Sequence, residues 1–84
     1  MTDKILKLKS FEVSLTSANT VYGGDLIRVL NPTGSAVVLQ WQYANTTAYA
    51  NTTVAPSGDE VVVKQPTDLL IGAGLLGVAI AYLD

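Results

Sequence analysis

The sequence predicts an all-β fold: a small antiparallel β-sandwich or flattened barrel of about six strands, with an extended N-terminal arm. Three observations carry that reading. Apolar and polar residues alternate in short runs, the period-two pattern of a half-buried strand. Turn-forming residues separate those runs at intervals of about ten positions, the spacing of small antiparallel sandwiches and barrels. Helical 3.6-residue periodicity is absent. The 84 residues make one domain. Residues 1–10 read as an arm or first edge strand, and residues 11–84 as the sandwich.

The elements follow in chain order. In "SFEVSLT" (10–16), Phe11, Val13 and Leu15 share one face and Glu12 and Ser14 the other. "DLIRVL" (25–30) is a second run, with Arg28 read as an outward residue on a strand otherwise buried. "NPTG" (31–34) places Asn, Pro and Gly where a type I turn prefers them. "SAVVLQWQYA" (35–44) sets Val37, Leu39, Trp41 and Tyr43 against Gln40 and Gln42. Trp41 is read as a core residue. "APSG" (55–58) is a second turn, and "EVVVK" (60–64) a short strand bounded by Pro66.

Between two of these strands lies a tandem hexapeptide, Tyr43-Ala-Asn-Thr-Thr-Ala and Tyr49-Ala-Asn-Thr-Thr-Val. In one straight strand the even period would turn both tyrosines the same way. A hairpin turning near Asn45 to Ala48 fits equally well, and we read the repeat as a duplication within a hairpin of exposed, Thr-rich strands. Two copies are too few for a solenoid, which needs about three. Asn45-Thr-Thr47 and Asn51-Thr-Thr53 also match the glycosylation sequon. With no signal peptide in view, that match is read as accidental.

The C-terminal stretch "LLIGAGLLGVAIAYLD" contains Gly72-Ala-Gly74-Leu-Leu-Gly77, a literal G-x-G-x-x-G. A dinucleotide loop needs a strand before it, a helix after it and an acidic residue about 20 positions on. Here a strand pattern follows. Val78, Ile80 and Tyr82 alternate with Gly77, Ala79 and Ala81. The expectation is a buried strand whose large side faces the core and whose small side lies against a neighbour, with Gly72 and Gly74 forming the turn into it. The uncharged run from Leu69 to Leu83 falls short of the about 20 apolar residues that span a bilayer.

Composition narrows the functional classes. Neither Cys nor His is present. That removes thiolate ligands and nucleophiles, and the side chain that titrates nearest neutral pH. Asp59 and Glu60 are adjacent, so a strand sends them to opposite faces and they make a poor acid–base pair. Asp25 and Asp68 stand alone and read as turn caps. A calcium site shared among these loops has no support in the spacing. The expectation is a protein without catalysis, cofactor or metal. A formal charge of −2 and three N-terminal lysines with no interleaved aromatic give no reason to expect nucleic acid. Charged residues make up 14% of the chain and hydrophobic ones 49%. About 25% charged is typical, and a small domain should exceed it, so part of the exterior is expected to be buried in an assembly. In "MTDKILKLKS", Ile5, Leu6 and Leu8 lie among Lys4, Lys7 and Lys9. Such a segment pairs with a sheet edge of its own subunit or a neighbour's, or is a first strand whose lysines discourage edge aggregation. Ile5, Leu6, Leu8, Ala79 and Ala81 are therefore the candidate interface residues.

The plan "IRVLNPTGSAVVLQW", then "VAPSGDEVVVKQPTDLL", then a terminal "GVAIAYLD" resembles the small virion structural proteins of tailed bacteriophages. The likeness covers Ile27 to Asp84, and the tandem Tyr-Ala-Asn-Thr-Thr unit departs from it. It implies a β-sandwich that decorates or cements a capsid, or sits in a tail or fibre. It also implies a virion location and other virion proteins as partners, the major capsid protein first among them. A homo-oligomer, acting by apolar packing and strand addition from residues 1–10, is the functional expectation, without nucleic acid or membrane. The alternative is a carbohydrate- or receptor-binding tip using Tyr43, Asn45, Tyr49 and Asn51, since sugars stack on exposed aromatic rings. A third class, a membrane-active segment at residues 69–83, ranks below both.

Overall fold

The computed structural model describes residues 5–83, with the side chains of Ile5, Leu6, Tyr82 and Leu83 outside the described set. Eight strands are present among these residues: β1 (Ile5–Leu8), β2 (Val13–Ser14), β3 (Leu26–Leu30), β4 (Val37–Gln42), β5 (Ala48–Val54), β6 (Asp59–Val63), β7 (Leu69–Ile71) and β8 (Leu76–Leu83). They form two antiparallel sheets. The larger has the order β1-β8-β3-β6, with β2 also on β8, and the smaller has the order β5-β4-β7. The fold is an all-β sandwich. The count exceeds six because residues 5–8, read as an arm or first edge strand, form β1, and because the "DLLI" segment supplies β7 ahead of the terminal strand.

β8 organises the larger sheet. One side pairs with β1 (Leu8 opposite Ile80) and then β2 (Val13 opposite Gly77), and the other with β3 (Ile27 opposite Ala79). The core between the sheets comprises Leu15, Val21, Ile27, Val29, Leu39, Val54, Val62, Leu70, Leu75 and Ala79. Val13, Val37 and Trp41 pack against it. The indole Nε1 of Trp41 donates to the Val63 carbonyl at 3.2 Å, tying the smaller sheet to β6. Arg28 is half-exposed and meets Asp59 at 2.9 Å.

Two sequence expectations need correction. Phe11 lies outside any strand and is 81% exposed, although alternation put it with Val13 and Leu15. Only Val13 and Ser14 hold strand pairing there, so period two does not extend to residue 11. The terminal strand is also reversed. Its small side, Gly77 and Ala79, faces the core, and Ala79 is only 4% exposed. A Cβ added to Gly77 would lie 3.2 Å from Leu15 Cδ1, and one added to Gly24 only 2.8 Å from Ala79 Cβ. Bulk comes from Leu15 and Ile27, so β8 must be small beneath them. Val78 and Ile80 take the opposite face. Ala79 is thus removed from the candidate interface, while Ala81 is half-buried beyond it.

The connections show how side chains set the chain's course. "GAGL" is a turn from one sheet to the other, closed by the Leu75 N–H on the Gly72 carbonyl (3.1 Å). Gly74 has φ +81°, as the third position of a type II turn requires. The glycine motif is therefore a turn. Asn31 is fully buried. Its Nδ2 donates to the carbonyls of Ser35, Val54 and Ala55, and its Oδ1 accepts from the Thr33 N–H and hydroxyl. "NPTG" is held by this side chain, which satisfies backbone groups that would otherwise be orphaned. Val21, Tyr22 and Gly23 all have positive φ, at 54°, 57° and 68°. A β-branched residue is an outlier there. Burial of Val21 in the core and acceptance of its N–H by Asn19 Oδ1 (2.7 Å) hold it in place.

Candidate interaction surface

The strand register builds an apolar face on the outside of the larger sheet. Ile27, Val29, Val62, Gly77 and Ala79 point inward, so their alternates point out. Directly opposed pairs on that outer face are Leu8 with Ile80, Leu26 with Val63, and Arg28 with both Val61 and Val78. Val78 and Ile80 are buried. Leu8, Val61 and Val63 are 63%, 43% and 73% exposed. Arg28 and Asp59 neutralise each other in the ion pair, and one cation and one anion, Lys9 and Asp25, border the same face beside Leu26, Val63 and Ile80. Covering the three exposed aliphatics would return roughly 3–5 kcal/mol at about 1.5–3 kcal/mol per fully buried side chain. That is near the lower bound of what association costs, so the face alone would hold a partner weakly.

The proposed surface residues of the repeat lie at the other sheet. β4 and β5 form a hairpin closed by the Thr46 N–H on the Tyr43 carbonyl (2.8 Å) and the Tyr43 N–H on the Thr47 carbonyl (2.9 Å). Thr46 takes φ +70°, and Asn45 Oδ1 accepts the Thr47 N–H at 3.1 Å. The first repeat copy is therefore largely turn and the second is strand. A bulge between Trp41 and Gln42 displaces the register at Tyr49. The rings of Tyr43 and Tyr49 stack with centroids 4.4 Å apart and 23° between planes. Both are about half-exposed, and Asn51 stands exposed opposite Gln40. Tyr43, Asn45, Tyr49 and Asn51 thus share one hairpin. Asn45 is already engaged in the turn.

The Tyr49 hydroxyl donates to Asp68 Oδ2 at 2.5 Å, which also accepts the Gln65 N–H at 3.4 Å. Donation to the Asp68 carboxylate, with partial desolvation and the charges of Asp68 and Tyr43, pushes the phenol up to about 12. Tyr49 therefore stays a neutral hydrogen-bond donor near neutral pH. Lys64 is 4% exposed. Its Nζ donates to the carbonyls of Gln65 (3.1 Å) and Pro66 (3.3 Å). Burial lowers its pKa, against the opposing pull of Asp68 and Asp25. These groups close the end of the sandwich on one another. Sequence reading missed Lys64 because "VVVK" looks like a strand with an exposed terminal charge.

Leu8 and Ala81 lie on β1 and β8, with Leu8 on the outer face and Lys7, not Leu8, opposite Ala81. For Ile5 and Leu6 only the backbone pairing with Leu83 and Tyr82 is described. β1 fills the sheet edge of its own subunit. Among the described residues, no group of three or more acidic side chains could hold a metal ion, and no helix is long and apolar enough to cross a membrane. Comparison with protein-family models, curated proteins and solved structures finds no match to this chain.

Proposed function

We propose that this chain is a non-enzymatic structural protein of a virion, a decoration or cement protein that packs on capsid subunits through the outer face of its larger sheet. The observation that carries the proposal is that face, where Leu8, Val61 and Val63 are exposed beside a self-neutralised Arg28–Asp59 pair. An aliphatic patch without net charge suits a neighbour of similar character. Its modest area suits a particle surface, where many copies and further contacts add to each weak one. The β1 strand lies along the edge of that face, so residues 5–8 contribute as part of the sheet. The test is co-sedimentation of the purified chain with particles assembled from the major capsid protein of the same virus. Val63→Lys should leave the fold intact, as exposed substitutions usually stay within about ±0.5 kcal/mol, yet abolish binding. Equal occupancy by Val63→Lys and Leu8→Lys would sink the proposal.

A second reading is favoured by the stacked, exposed Tyr43–Tyr49 pair. In that reading the hairpin tip of a tail or fibre protein binds a carbohydrate on the free ring faces, with Asn51 supplying polar contacts. Glycan-array binding lost in Tyr43→Ala, with particle binding unaffected, would replace the first reading by this one.

A further inference from the structure

The two sheets have four outer edges, and three of them are blunted against pairing with another chain. β1 carries Lys7, with Lys9 just beyond it. β6 begins with Asp59 and Glu60, and its last carbonyl, that of Val63, accepts the Trp41 indole N–H at 3.2 Å. β7 has three residues, and its middle one, Leu70, exchanges both backbone bonds with Asn19 (3.0 and 2.9 Å). Edge charges, shortness and covering are the devices that prevent strand-to-strand association. β5 lacks all three; its one irregularity is the bulge at Tyr49, and residues 50–54 pair regularly with β4. Its seven residues, Ala48-Tyr-Ala-Asn-Thr-Thr-Val54, hold no charge and no proline, and five of the seven are exposed. The β-branched Thr52, Thr53 and Val54 favour extended pairing.

We infer that β5 is the edge at which two copies of this chain join, antiparallel, across a two-fold axis at Asn51. The second copy is the occupant because the strand is self-complementary in that register. Asn51 meets its own symmetry mate, so two uncharged amides face each other. Ala50 stands opposite Thr52, within the regular stretch that follows the bulge at Tyr49, so small and β-branched uncharged side chains meet across the axis. Isologous pairing of this kind closes, adding no further edge, and fuses two three-stranded sheets into one of six. The outer face of the larger sheet stays free in such a dimer. The inference does not depend on the virion reading, and each fails by a different measurement.

The chain has no cysteine, which makes the register directly testable. Residues opposed in an antiparallel pair have Cα atoms about 4.5–5.5 Å apart, within disulfide range. Asn51→Cys should therefore oxidise to a covalent dimer. In Thr53→Cys the two thiols are offset by four residues, about 14 Å along the strands, and should not bridge. Bridging at the axis should be faster by at least about tenfold, since it proceeds at the raised effective concentration of a pre-formed pair. Without substitution, sedimentation velocity should show concentration-dependent dimerisation. Asn51→Lys should abolish it with the far-UV spectrum unchanged, and Val63→Lys, on the other sheet, should not. If Asn51→Lys fails to fold, the two cysteine variants carry the test. Equal bridging at 51 and 53, a wild-type chain that stays monomeric, or dimers broken by Val63→Lys instead would overturn the inference.

Discussion

Adding one methyl group at Gly72 tests the reading of the glycine motif as packing and turn rather than phosphate cradle. A Cβ built there would lie 2.4 Å from Leu75 Cδ1, 3.1 Å from Leu75 Cγ and 3.0 Å from the carbonyl oxygen of Val38. Leu75 is fully buried, so its side chain has little room to swing away, and the Val38 oxygen belongs to the β4 backbone. Relief requires movement of the smaller sheet or of the turn. Overpacking of this kind costs about 1–3 kcal/mol. A chain of 84 residues has roughly 4–13 kcal/mol of stability in all. At about 4–8 °C per kcal/mol, Gly72→Ala should lower the melting temperature by roughly 4–24 °C. Gly74→Ala tests a different term. Its Cβ would sit 3.1 Å from Thr33 Cγ2, a tight contact that the half-buried Thr33 methyl must yield to, and φ +81° disfavours any side chain by about 1–2 kcal/mol. Gly34→Ala is the control, since nothing lies within 4 Å of its added Cβ. It should be neutral or stabilise slightly by restricting the unfolded chain. Thermal unfolding followed by circular dichroism ranks the three. Gly72→Ala melting within about 2 °C of the parent, or below Gly34→Ala in its effect, would refute the packing argument.

Further outcomes follow from the same structure. Ala79→Glu should unfold the domain rather than merely block assembly, because the charge would enter the core beside Gly24 and Ile27 without a partner; thermal melting decides this. Thr46→Gly should stabilise by about 1 kcal/mol in urea titration, by freeing the φ +70° position from a β-branched residue. Asn31→Ala should cost about 3 kcal/mol or more, as the carbonyls of Val54 and Ala55 lose a buried donor; the readout is the urea midpoint. The Tyr49 phenol is raised on folding, so its contribution is complete below pH 10 and is lost as pH climbs towards 12. Tyr49→Phe should remove that part of the alkaline decline in stability, measured by urea unfolding from pH 9 to 12.

Fold class, the hairpin of the repeat and the turn at Gly72–Gly74 were legible in the sequence, because each rests on local chemistry. Alternation reports a half-buried strand wherever it occurs. Pro56 and Gly58 announce a turn, and the Ala55 carbonyl does accept the Gly58 N–H at 3.0 Å. The absence of Cys and His narrowed the chemistry before any coordinate was known. What alternation cannot give is the direction of a face. It separated Gly77 and Ala79 from Val78 and Ile80, but which set points inward depends on the bulk arriving from Leu15 and Ile27, distant in sequence. The same holds for Phe11, whose place in the pattern was overridden by the lack of a pairing partner. Burial of Lys64 and its neighbour Asp68, and the meeting of Tyr49 with that carboxylate, arise only when the β4–β5 hairpin closes over the β6–β7 connection. Which edge lies open is likewise a property of strand order, which only the packing of two sheets decides. The sequence by itself determined the strands and their turns, since those are fixed by neighbours within a few residues. The tertiary structure decided inside from outside, because that depends on volumes contributed from far along the chain.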